Sequence, residues 1–295
     1  MIPSDVLAAT RARLAAALAP PMRRYRPLRV GRQAAGWVDD TRAARLAEFT
    51  DVFTVRDDGV SFAAGLADVA ARSEAMEHVA RALAVSRDLT AWRDERYAVA
   101  PQFGAAPWFL LERAAARFFG IRTYAAHING LVQRDDGIAM WIARRSATKS
   151  IDPGMLDNLV GGGVAAGQSV AAAVVKEAWE EAGITAPLVA RAQPTGAVHL
   201  CRELPDGLQR ETIFVHDLWL HIDFVPMSQD GEVTEHRLVP LLATALLIGH
   251  RTGTDVVTAD AALVVLDCLL RHGAVTPDAQ DYLVLEALRH PIVNL

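Results

Sequence analysis

Residues 161 to 183 constrain this 295-residue chain more than any other stretch. Gly161-Gly162-Gly163 opens a small-residue loop that runs to Gly167-Gln168. Ser169 to Ala182 then has helical patterning, and Gly183 stops it in the manner of a C-cap glycine. On that helix Glu177, Glu180 and Glu181 stand at i, i+3 and i+4, so one face carries three carboxylates. Val170, Val174, Val175 and Ala178 are apolar, which defines that face sharply. Charged helix faces are most often simply solvated. Mutual repulsion nevertheless makes this one costly without a positive partner. Hard divalent cations such as Mg²⁺ prefer carboxylate oxygens and bridge them to phosphate. The expectation is a solvent-facing cation site with glycine backbone close by.

The balance of 30 Lys+Arg against 35 Asp+Glu argues against a partner held by clustered positive charge, so neither nucleic acid nor an anionic membrane is expected. Two cysteines, Cys201 and Cys268, make neither a disulfide framework nor a C-x-x-C zinc site. The long uncharged stretch from Asn158 to Val175 is broken by glycines, and Arg11 and Arg13 interrupt the first apolar segment. A cytoplasmic protein is the expectation.

Residues 4–19 read as a helix with Ser4 as N-cap, ended by Pro20-Pro21, and a second helix is expected from Leu66 to Val85. Short strands near Gly36-Trp37-Val38 and Val52 to Val55 make this part α+β. From Tyr124 the texture changes. Ala125 to Gln133, the turn Asp135-Asp136-Gly137 and Ile138 to Ala143 read as a β-hairpin. Leu159-Val160 is a short strand, further strands are expected near 188–202 and 211–222, and helices over 258–272 and 277–290 close the molecule.

The order of residues from Gly162 through Glu177, Ala178, Glu180, Glu181, Gly183 and Ile184 resembles the Nudix box. Two positions depart from it: Gln168 stands where the box has its first Glu, and Lys176 where it has Arg. Lys176 keeps the charge but loses the planar bidentate fork. Trp92-Arg93-Asp94-Glu95, His127-Ile128-Asn129-Gly130, Pro153 to Asn158 and Asp230-Gly231-Glu232-Val233 are similar to one Nudix subfamily with an extra N-terminal domain. That subfamily is similar to the Nudix part of fungal thiamine pyrophosphokinase.

The resemblance implies an α/β (α+β) Nudix fold, a mixed sheet sandwiched between helices. It places a smaller α+β domain over residues 1–122 and the hydrolase domain over 123–295. It also implies metal-dependent hydrolysis of a small-molecule diphosphate, thiamine diphosphate or its oxidised oxy and oxo analogues, to the monophosphate. ADP-ribose hydrolysis and a non-catalytic ligand sensor are the alternatives. Glu177, Glu180 and Glu181 would hold Mg²⁺ or Mn²⁺, with Lys176 orienting Glu177 or its neighbour and Glu180, Glu181 and Glu232 serving the chemistry. Arg93, His127, Arg144, Lys149, Gly162 and Gly163 are the expected substrate contacts, and a homodimer is compatible with the sequence.

Overall fold

The computed structural model describes residues 2–249, 255–293 and 295. Helix α1 (Ser4–Ala17) comes first; Pro3, not Ser4, holds its cap position, and no side chain caps it. The chain then builds a small α+β unit. Strands β1 (Tyr25–Val30) and β2 (Gln33–Asp39), helix α2 (Asp40–Leu46), and strands β3 (Phe53–Arg56) and β4 (Gly59–Phe62) give a four-stranded sheet in the order β2-β1-β4-β3. Helix α3 (Val69–Val85) begins later than expected because Asp68 caps it, accepting the Ala71 N–H at 2.8 Å. The hairpin of β5 (Arg96–Val99) and β6 (Phe109–Glu112) completes the unit around Leu28, Val60, Met76, Leu83 and Phe109, all fully buried.

The second unit starts with the expected hairpin, β7 (Arg122–Arg134) and β8 (Gly137–Arg145). It continues through β9 (Leu156–Asn158), β10 (Val160–Gly163), α4 (Val170–Ala182) and α5 (Ala186–Val189). Then come β11 (Gln193–Leu204), β12 (Gly207–Leu220), β13 (Val233–Pro240), α6 (Leu241–Gly249), α7 (Ala259–Arg271) and α8 (Tyr282–Leu288). The strand expected from residue 188 starts only at Gln193, because Pro187 favours the short helix before it. The sheet runs β11-β12-β7-β8-β13, with β10 on β7 and β9 on β8; β7 and β12 pair in parallel and the other named strand pairs are antiparallel. Helix α4 packs on one face against Ala126, Ile128 and Leu218, while α6 and α7 cover Leu131, Ile213 and Val215 on the other. This is the expected mixed sheet between helices.

A division at residue 122 does not follow the packing at the start of the chain. Val6, Leu7 and Leu14 of α1 join Ala245, Ile248 and Leu266 in the core of the second unit, and the Thr10 hydroxyl donates to the Ala245 carbonyl at 3.3 Å. Apolar burial, not sequence proximity, decides where this helix belongs. The two units also meet through backbone. Leu208 N–H donates to the Arg117 carbonyl at 2.9 Å, and Ala166 N–H to the Arg96 carbonyl at 2.8 Å.

Candidate active site

Helix α4 is defined at both ends by its sequence. The Ser169 hydroxyl accepts the Ala172 N–H at 3.1 Å, and Gly183 leaves the helix at φ 64. Gln168 is turned to its own loop, where its Oε1 accepts the Ala165 N–H at 3.2 Å. The three glycines before it are strand, not loop. Gly161, Gly162 and Gly163 pair with His127, Ala126 and Ala125 of β7. Their missing side chains are what the site needs. A Cβ on Gly161 would lie 2.9 Å from the His127 ring, one on Gly162 2.2 Å from the Glu177 carboxyl carbon, and one on Gly163 2.4 Å from the Tyr97 hydroxyl.

The carboxylate face divides by environment. Lys176 Nζ lies 2.9 Å from both Glu177 Oε1 and Glu180 Oε2, so it bridges two of the acids at the solvent side. Burial disfavours the Lys176 charge, but these two carboxylates outweigh it and raise its pKa. Glu181 is not solvent-facing as expected: it is 5% exposed and accepts the Gly161 N–H at 2.8 Å. Burial first, then the neighbouring Asp157 charge, pushes its pKa up to about 8, against the pull of that N–H and of Lys149.

Beside the glycine strand lies a cleft of about 340 Å³ between the two units, and none of Glu177, Glu180 and Glu181 is in its lining. Arg93, His127, Lys149, Gly162 and Gly163 line it, as do Tyr97, Arg113, Arg145, Asp157 and Glu211. His127 Nδ1 is 2.8 Å from Asn158 Oδ1, which fixes the ring beside Gly161. Arg145 donates to Asp157 at 2.8 Å. Lys149 pairs with Glu232 at the rim, burial lowering its pKa despite the nearby Glu181. Arg93 reaches Ser150 Oγ at 2.8 Å and approaches Glu232 at 3.9 Å. Glu232 stands in an adjoining recess shared with Arg93 and Lys149.

Arg144 is the expected substrate contact that the structure places elsewhere. Its guanidinium donates to Glu235 at 2.8 Å and to the Gly154 carbonyl at 2.9 Å, pairs with Asp255, and is absent from the cleft lining. Neighbours on a strand point to opposite faces, so only one of Arg144 and Arg145 can turn inward. Sequence reasoning gave no role to Tyr97, Arg113 or Glu211. Tyr97 and Arg113 come from the first unit, and Glu211 is half-buried and accepts from Thr123 and Gln209, with desolvation and then Asp260 raising its pKa.

The donor set fits a hard divalent cation. Glu177 and Glu181 lie against successive residues of one strand, and the raised pKa of Glu181 marks a place short of positive charge. Among the described residues, three ligand-type side chains converge within 4.8 Å only at Asp217, Cys268 and His272. There the Asp217 carboxylate already accepts two bonds from Arg271, at 2.6 and 2.9 Å, so that cluster is a structural ion pair.

Acidic groups on a helix beside a glycine strand, next to a cleft with basic side chains, are the parts that metal-assisted hydrolysis of a phosphoric anhydride uses. Residues 123–260 match the NUDIX domain and residues 12–123 the domain of unknown function DUF4743. The chain is 38% identical over 268 residues to "Nudix hydrolase 20, chloroplastic" of Arabidopsis thaliana, covering 88% of this chain and 71% of that protein. Over 261 residues it is likewise 38% identical to "Nudix hydrolase 24, chloroplastic" of the same plant, again covering 88% and 71%. The MutT protein from Methanosarcina mazei Go1 aligns with 52% of this chain and 95% of its own, at 21% identity and a TM-score of 0.37. The chain belongs to the Nudix hydrolase family and is a pyrophosphohydrolase.

Proposed function

We propose that the protein hydrolyses the diphosphate of thiamine or of its oxidised oxy and oxo analogues, giving the monophosphate and inorganic phosphate, with Mg²⁺ or Mn²⁺ as the cation. The observation that carries the diphosphate chemistry is the pair Glu177 and Glu181 held against β10, at a cleft whose wall includes Arg93, Arg145 and Lys149. Glu177, Glu180, Glu181 and Asp157 would hold the cation, which neutralises diphosphate oxygens and activates water for attack on phosphorus. Lys176 orients Glu177 and Glu180. Arg145 positions Asp157, and Lys149 and Arg93 supply positive charge to the phosphates once Glu232 releases them.

The identity of the organic group rests on the subfamily resemblance. The cleft supports a group of that size, since small-molecule sites begin at roughly 300 Å³. Its wall is polar, with Tyr97, Arg113 and Glu211 available to fix orientation. Steady-state rates with Mg²⁺ test the proposal. Oxothiamine diphosphate is expected to have the highest kcat/KM, thiamine diphosphate the next and ADP-ribose the lowest. A clear preference for ADP-ribose overturns the thiamine assignment and leaves the phosphoanhydride chemistry standing.

A further inference from the structure

Tyr97 sits on β5 of the first unit, yet its hydroxyl ends against β10 of the second. The side chain is 6% exposed and lines the cleft, and among the described residues no group hydrogen-bonds to its hydroxyl. A buried hydroxyl normally finds a partner, so one left open toward a cavity is a donor held in reserve. It is also held firmly. The carbonyl of the preceding residue, Arg96, accepts the Ala166 N–H at 2.8 Å, and the Arg113 guanidinium lies 5.8 Å from the centre of the phenol ring. Burial raises the pKa of the phenol, so it carries its proton at neutral pH.

Its position along β10 points to what it would bind. Three successive residues of that strand meet three functional side chains in order. Gly161 N–H bonds Glu181, Gly162 leaves room for the Glu177 carboxylate, and Gly163 leaves room for the Tyr97 hydroxyl. Alternate residues of a strand share a face, so Gly163 turns to the same side as Gly161, where the His127 ring lies, and Arg93, Arg145 and Lys149 line the same cleft. A diphosphate held by those basic groups has the phenol as a further donor in the cleft wall.

We propose that Tyr97 is a substrate-binding residue lent to the hydrolase site by the first unit, its hydroxyl donating a hydrogen bond to an oxygen of the substrate diphosphate. This rests on the diphosphate chemistry argued above. It makes the site composite: the Nudix elements hold the cation and the first unit supplies a donor to the diphosphate.

Tyr97→Phe removes only the hydroxyl, and since that hydroxyl bonds no protein group the melting temperature should not move. kcat/KM for whichever of thiamine diphosphate, oxothiamine diphosphate or ADP-ribose the wild type hydrolyses should fall about tenfold, mainly through KM. Binding of methylenediphosphonate with Mg²⁺ present, measured by calorimetry, should weaken by a similar factor. A tyrosine that only packs predicts no change in either. Phe matching wild type within twofold in both measurements overturns the proposal while leaving the diphosphate chemistry intact. A wild type that neither turns over these substrates nor binds the bisphosphonate overturns both. Should Tyr97→Phe melt well below wild type, Gly163→Ala decides instead. Its Cβ displaces the hydroxyl, so wild-type binding of the bisphosphonate by that variant also overturns the proposal.

Discussion

Replacing Gly162 by alanine puts one methyl group where the Glu177 side chain now lies. The new Cβ would stand 2.2 Å from the carboxyl carbon, 2.3 Å from Cγ and 2.6 Å from Oε2. Carbon atoms settle at about 3.5–4.0 Å, so the carboxylate must retreat by more than about 1 Å. The obstruction is the far end of a flexible side chain, and Gly162 has no positive φ to strain an alanine. Destabilisation should therefore be small, about 1 kcal/mol, since alanine's lower unfolded-state entropy offsets part of the repacking. Chemistry is less tolerant: a misplacement of about 1 Å costs on the order of a hundredfold, or about 2.7 kcal/mol of barrier. Thermal melts without metal and kcat/KM across an Mg²⁺ titration separate the two effects. Activity within threefold of wild type would mean that Glu177 has no positional role. A melting temperature lowered by more than about 10 °C would mean that the glutamate cannot move aside as argued.

Three further outcomes follow from the same geometry. Glu181→Gln keeps an acceptor for the Gly161 N–H, so the fold should survive with an unchanged or higher metal-free melting temperature, while turnover drops at least about a hundredfold; activity within threefold would remove Glu181 from the site. Burial alone would raise the Asp217 pKa, but bonds from Arg271, Asn129 and His272 outweigh it and the pKa is lowered. A depressed carboxylate stabilises above its unfolded pKa of about 3.9 and loses that contribution as pH falls through the folded value. Asp217→Asn should therefore cost about 3 kcal/mol at pH 7 and progressively less in acid, as urea melts across pH would show; a pH-independent cost would refute the ion-pair account. Gly207 has φ +143, and a Cβ there would lie 2.0 Å from the Arg117 carbonyl oxygen. Gly207→Ala should break the Leu208–Arg117 backbone bond and cost about 2–4 kcal/mol. A wild-type urea midpoint would show that the junction yields more easily.

The Asp-Gly hairpin, the capped carboxylate helix and its C-terminal glycine are local features, and the sequence showed each because the cause lies within a few residues. Gly161 to Gly163 was read as loop because glycine carries no strand preference of its own. Pairing with β7 makes it strand, and that pairing comes from tertiary structure. Arg144 was the expected contact, and the parity of β8, which sequence does not reveal, gives that place to its neighbour Arg145. Glu181 looked like its neighbours on the helix, but the approach of β10 takes it out of water. Tyr97 carries no motif at all; only the docking of one unit on the other brings it to the glycine strand.

The allegiance of α1 bears on how this protein can be cut. Because that helix packs against α6 and α7 before the chain enters the smaller unit, the smaller unit is an insertion fastened at both ends rather than a tethered appendage. Removing everything before residue 123 would take Val6, Leu7, Leu14 and Leu18 away with it and lay bare Ala245, Ile248 and Leu266, which pack in the same cluster. A truncated hydrolase would then aggregate for reasons unrelated to substrate selection. The excision that respects the packing keeps residues 2–18 together with everything from residue 122 onward, and discards only what lies between. Double attachment also limits motion, since a unit tied to the larger one at two points of the chain cannot swing clear of the cleft.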